Sequence, residues 1–222
     1  MLVYTNLALN GLIVFHRQSA AEREGRFNFL SSQSKLDGQG RLEFENSNRF
    51  NQIKAGLEDS GEFLTIGSNI TIHGQGLTIG NIAGADSGQP PFVENRGTIL
   101  TQPGDYLNFG TYSFTNAGVI QIAGSNVVNA YFNFTQTSGG RLEFEVSNSA
   151  TGPVNGKLNI PGAAALDGTL SLNFQPQSSD SFELLTYKSH TGTFSTIMTP
   201  PTPPGSRWTA DYGATGFRLN LQ

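Results

Sequence analysis

Along most of the chain, apolar residues alternate with polar ones in short runs: Leu42/Phe44, Ile70/Ile72, Leu77/Ile79, Ile120/Ile122, Phe132/Phe134, Leu142/Phe144/Val146, Leu158/Ile160 and Leu170/Leu172/Phe174. Successive side chains of a strand point to opposite sides, so this period of two predicts short strands with one buried side. Gly, Asn, Asp and Ser stand between the runs, and these residues tolerate positive φ or hydrogen-bond their own backbone at turns. Helix formers follow one another only over Ser19 to Glu24, a stretch too short to stand without packing support. The fold class is therefore all-β.

The turns recur at a spacing. Phe92 to Ile99, Phe114 to Ile120 and Phe134 to Leu142 share one order: a Phe, a carboxamide, a Gly, then a branched apolar residue. The carboxamides Asn95, Asn116 and Gln136 lie 21 and 20 residues apart. A period of that size marks a stacked solenoid. The hexapeptide Gly-Arg-Leu-Glu-Phe-Glu also occurs twice, at 40–45 and at 140–145, a separation that equals about five periods of 20. About 21 residues with two or three strands and no helix suit one coil of a right-handed parallel β-helix, or β-solenoid, in which each strand pairs with its equivalent in the next coil. Two expectations follow. The three carboxamides form a hydrogen-bonded ladder at one corner, as Asn and Gln do in stacked β-structures. Phe92, Phe114 and Phe134 lie one above another, and about ten coils make a rod on the order of 50 Å long.

The coils occupy 1–147, and a C-terminal β-rich continuation and cap occupies 148–222. In that second part the proline-rich passage Pro200 to Gly205 reads as an exposed loop, because the alternating Phe217, Leu219 and Leu221 need a sheet to join. At the other end Met1 to Phe15 reads as strand, turn, strand, broken at Asn10-Gly11. A degenerate signal peptide with Ser19-Ala20-Ala21 as its cleavage region is the lesser reading, since no basic residue precedes the apolar stretch.

Composition narrows the partners. Charged residues make up 14%, and Gly 27 of 222 positions, so the chain is turn-rich and sparsely charged, while 16 Phe supply a core. A net charge of −4 without clustered Lys or Arg disfavours nucleic acid, and no apolar stretch is long enough for a transmembrane helix. Cysteine is absent, which removes disulfides and thiolate metal sites.

Candidate chemistry is thin. His16, His73 and His190 lack partners at metal-ligand spacing, and Asp37, Asp86, Asp105 and Asp167 fall at unrelated turns, so no metal and no cofactor is expected. No Gly-x-Ser-x-Gly occurs, and His73-Gly74-Gln75-Gly76 lacks the context of a phosphate loop. Thr135/Thr137 and Thr191/Thr193 do not read as a regular Thr array. The carboxylate pairs Glu43/Glu45 and Glu143/Glu145 are the one enzymatic lead, because i, i+2 residues share a strand face and glycosidases need two carboxyls about 5 to 10 Å apart. Alternating Glu is also what a half-exposed strand needs for solubility, so no catalytic residue is assigned.

The Asn-Arg-Gly-Thr-Ile and Asn-Ala-Gly-Val-Ile coils at 95–99 and 116–120 resemble those of bacterial β-helical surface proteins of the autotransporter and filamentous-haemagglutinin kind. So does the later set of Gly-Lys-Leu-Asn-Ile, Leu-Asp-Gly-Thr-Leu, Phe-Glu-Leu-Leu, Gly-Thr-Phe and Trp208/Tyr212. The resemblance covers about 70–222. It implies a non-enzymatic structural or adhesive module, extracellular or on a bacterial cell surface, whose rod meets a glycan, a matrix protein or a copy of itself through loops such as Gly84 to Pro91. The alternative is a polysaccharide-cleaving enzyme, a lyase or glycosidase, on the same scaffold.

Overall fold

The structure is a computed structural model that describes residues 1–15, 25–45, 51–55, 61–81, 91–149, 152–173 and 181–222. Among these residues every regular element is a strand, numbered β1 to β23 in chain order. Strands pair in parallel with their equivalents one coil away and build three faces. The first face stacks β6 (Phe63–Ile66), β9 (Phe92–Asn95), β12 (Ser113–Asn116) and β15 (Asn133–Gln136). The second stacks β2 (Asn6–Phe15), β4 (Gln33–Phe44), β7 (Ile70–Gly74), β10 (Thr98–Leu100), β13 (Val119–Ile122), β16 (Arg141–Ser149), β19 (Thr169–Asn173) and β21 (Thr196–Met198). The third stacks β1 (Leu2–Val3), β3 (Arg26–Phe29), β5 (Asn51–Lys54), β8 (Leu77–Gly80), β11 (Leu107–Gly110), β14 (Val127–Ala130), β18 (Lys157–Leu166) and β20 (Ser181–Gly192). β4, β18 and β20 are long enough to round a corner and serve the first face as well. A hairpin of β16 with β17 (Gly152–Asn155) projects between the second and third faces.

The protein is thus a β-solenoid, and among the described residues its second and third faces each stack eight strands, fewer than the ten coils expected. Only the central coils have the short period. Register on the first face gives coil lengths of 30, 29, 21 and 20 residues from Gln33 to Asn133. The repeated hexapeptide accordingly spans four turns, of 30, 27, 21 and 22 residues, and Arg41 and Arg141 occupy the same column.

Period-two alternation carries the core. Phe44, Phe109, Phe114, Phe134 and Phe144 all point inward and are fully buried, and the Phe114 and Phe134 rings stack with centroids 6.2 Å apart and planes 2° apart. Phe92 does not join them. It pairs with Ser113, leaving Val93 beneath Phe114, and its own side chain is exposed. The cause is parity: Phe92 precedes its corner carboxamide by three residues, Phe114 and Phe134 by two, and one extra step turns a side chain to the other face. Phe132 is likewise outside, since it precedes β15 rather than belonging to it.

The corner between the first and second faces is tight. Asn95 Nδ2 donates to Asn116 Oδ1 (2.9 Å), and Asn116 Nδ2 donates to Gln136 Oε1 (2.9 Å), all three buried, so the expected ladder is present. A column of glycines accompanies it. A Cβ added to Gly97, Gly118 or Gly140 falls 2.4, 2.1 or 2.3 Å from a backbone oxygen of the coil below, closer than real Cβ atoms come. Only glycine lets the backbones stack there.

The two ends differ. At the C-terminus β23 (Gly216–Leu221) pairs antiparallel with β20, and β22 (Trp208–Tyr212) pairs antiparallel with β23. Phe217, Leu219 and Leu221 are buried, so the prolines form a loop that returns the chain to the sheet. Tyr187 Oη donates to the Gly216 carbonyl (2.9 Å), and the Phe194 amide donates to Tyr212 Oη (3.0 Å), which ties the hairpin over the last coil. At the N-terminus β2 continues unbroken through Asn10-Gly11, where Gly11 (φ +130°) turns it from one face to the next. Ser19 to Glu24 lies outside the described residues.

Candidate functional site

On the outer side of the second face, Leu142 and Phe144 are anchored in the core, which directs Arg141, Glu143 and Glu145 of β16 outward. Register sets Gln121 on one side of Glu143 and Ser171 on the other, with Asn173 beside Glu145. Met198, Thr199, Pro200 and Pro201 overhang this row and complete a cleft of about 380 Å³. Inside it Arg141 Nε lies 2.7 Å from Glu143 Oε1, Arg141 Nη2 donates to Ser171 Oγ (3.4 Å), and Gln121 Nε2 donates to the Glu145 carboxylate.

Strand geometry puts Glu143 and Glu145 about 7 Å apart at Cα, a separation compatible with a carboxylate pair. Both are already engaged, Glu143 by a guanidinium and Glu145 by a carboxamide. The earlier copy of the motif lies on β4, where Glu43 pairs with Arg41 (2.5 Å) and stands beside His73. The sequence identified Glu143 and Glu145 but not the overhang, which comes from a loop some fifty residues later whose only sequence signal is its run of prolines.

The remaining candidates are dispersed. His73 Nε2 sits 3.4 Å from Asp105 Oδ2, whose oxygen also accepts the Gln102 amide (2.6 Å). His190 packs among the rings of Tyr187 and Tyr212. Asp37 pairs with Lys35 (2.5 Å), and hydrogen bonds from Lys35 and the Gly38 amide hold its carboxyl below the ordinary value. The Ser195 hydroxyl and the Gly168 amide do the same for Asp167. Among the described residues no group of three or more His, Asp or Glu is placed to hold a metal ion. His16, Asp86 and nearly all of Gly84 to Pro91 lie outside the described residues.

Two surface features were missed in the sequence. Phe92, Tyr112 and Phe132 form an exposed strip along the leading edge of the first face, with ring centroids 5.7 and 6.0 Å apart. Thr65, Thr115, Thr135 and Thr191 share one outward column interrupted by Glu94 and Ala165, although Thr137 and Thr193 lie off it. No protein-family model matches the chain, and no curated protein matches its sequence.

Proposed function

We propose that the chain is a non-enzymatic adhesive module of a bacterial surface or secreted protein that holds a glycan in the cleft of the second face. The observation that carries this reading is the polar lining that the strands supply: Arg141 bonded to Glu143 and Ser171, Gln121 bonded to Glu145, and the Asn173 carboxamide beside them. Such a set offers donors and acceptors to sugar hydroxyls. Strands hold it more rigidly than loops do, which lowers the entropy lost on binding. The resemblance of the Asn-x-Gly coils to β-helical passengers supports the surface location. Cleavage is the second reading, favoured by the spacing of Glu143 and Glu145 and opposed by their engagement with Arg141 and Gln121.

The test is to pass acidic and neutral polysaccharides over the immobilised chain and to assay the same mixtures for new reducing ends and unsaturated products. Retention without products is expected, weakened about tenfold by Arg141→Ala, the loss that accompanies removal of one charged hydrogen bond. Absence of retention across the panel overturns the glycan reading. Turnover that disappears in Glu143→Gln or Glu145→Gln replaces it with the enzyme.

A further inference from the structure

The walls of the cleft differ in chemistry, and the difference selects among sugars. One wall is polar and comes from the strands: Gln121, Glu143 and Ser171 share a column across the second face, with Glu145 and Asn173 in the next. The other wall is apolar and comes from the overhang. Met198 follows Ser171 in the same column and is half-exposed, and the rings of Pro200 and Pro201 continue from it. The Trp208 indole Nε1 donates to the Pro200 carbonyl (3.2 Å), which ties this wall to the terminal hairpin. A sugar ring has the same two aspects, hydroxyls around its rim and C–H groups on its faces. The volume of about 380 Å³ falls within the roughly 300–1,000 Å³ of small-molecule sites.

Which sugar is accepted follows from the polar wall. Ionised carboxylates only accept hydrogen bonds, so Glu143 and Glu145 call for a ligand that brings donors. Hydroxyls do so, whereas uronate and sulfate groups do not. The guanidinium of Arg141 is already turned to Glu143 through Nε and to Ser171 through Nη2, so it does not present the open N–H fork that grips an incoming carboxylate. Charge acts in the same direction. Arg141 offsets Glu143, while Glu145 is met by the uncharged amide of Gln121, so the lining carries one negative charge in excess. Residues 174–180, which continue the chain from Asn173, contain no Lys, Arg or His to cancel it.

We infer that the cleft takes sugars without anionic groups, held by hydroxyls that donate to Glu143 and Glu145 and by a C–H face resting on Met198, Pro200 and Pro201, and that it excludes uronates and sulfated sugars. This rests on the cleft being the glycan site. A unit charge held about 6 Å from a like charge is disfavoured roughly three- to a hundredfold, from the fully hydrated limit to that of a protein surface.

The test uses the full chain, immobilised at about 0.15 M salt, where screening over roughly 8 Å suppresses the influence of charges outside the cleft on a chain of net charge −4. A neutral glucan, a neutral mannan, a polyuronate and a sulfated galactan of similar length are passed over it. The neutral polymers should be retained at least tenfold more tightly than the anionic ones. Asn173→Lys sets a cation at an exposed position beside Glu145, and Glu145→Gln removes the excess charge. Each should narrow the ratio at least threefold with an unchanged circular dichroism spectrum. Val127→Lys makes the same change of net charge at an exposed position on the third face and should leave the ratio as it is. Anionic polymers retained as tightly as neutral ones, a ratio unmoved in both cleft variants, or one moved equally by Val127→Lys overturns the selectivity and leaves the glycan site standing. Loss of retention for every polymer overturns the site and the selectivity together.

Discussion

Asn116 shows what a single side chain does in this stack. It accepts from Asn95, donates to Gln136 and also donates to the Arg141 carbonyl (3.2 Å), all within the protein. Asn116→Ala leaves the Gln136 Oε1 acceptor above without its donor, at about 1–3 kcal/mol when buried, and leaves Asn95 Nδ2 below with only its longer bonds to the Gly97 and Val119 carbonyls. A loss of roughly 2 kcal/mol is expected, read as a lower urea midpoint with an unchanged slope. Gln136 ends the ladder, with its own Nε2 unpaired and Leu166 next in the column, so its replacement by Leu costs less. The ladder was legible because three carboxamides recurred at one period beside three glycines. Phe92 misled because the same pattern was matched by residue type and not by parity: three steps from Asn95 put outside what two steps from Asn116 put inside.

At the scale of strands and turns, the corner between the first and second faces sets the tolerance of the fold. Gly118→Ala forces a methyl to within 2.1 Å of the Gly97 carbonyl oxygen. The coil must shift, so this variant is expected to be at least as damaging as Asn116→Ala, which the same urea titration checks. The terminal hairpin is held differently. Glu183 of β20 takes hydrogen bonds from Arg218 of β23 and Lys157 of β18, and these hold its carboxyl below the ordinary value of 4.5. Because the folded-state value is depressed, the contribution is complete above the ordinary value and fades as pH falls through the lower one. All three groups are partly exposed, which limits the contribution to under about 1 kcal/mol. Trp208, the only tryptophan, packs near Phe182 on this hairpin, and its fluorescence should change in acid. Glu183→Gln should flatten that change while slightly weakening the hairpin at neutral pH. These ties cross 26 to 35 residues of sequence, as the cleft's overhang crosses more than fifty, and local pattern carries no trace of such distances.

For the molecule as a whole, the alternation and the period were enough to reach a solenoid, because stacking equivalent strands is the way these short one-sided strands bury their apolar sides. The number of turns was not reached, since coil length was extrapolated from the two shortest coils. The eight strands of the second face, seven spacings of about 4.8 Å, give a stack of roughly 34 Å, stubbier than ten coils would be. The added length is not spread evenly. Between the first and second faces the chain never uses more than four residues, as from Asn95 to Thr98 or Gln136 to Arg141, whereas the passages from Phe15 to Arg26, Gly80 to Phe92 and Asn173 to Ser181 are much longer. The molecule therefore has one spine, and its long passages fall at the other two corners, between the second and third faces and between the third and first. One residue gained along the spine would exchange inside for outside until a second error restored the phase, so evolution can embellish this protein at two of its corners and not at the third.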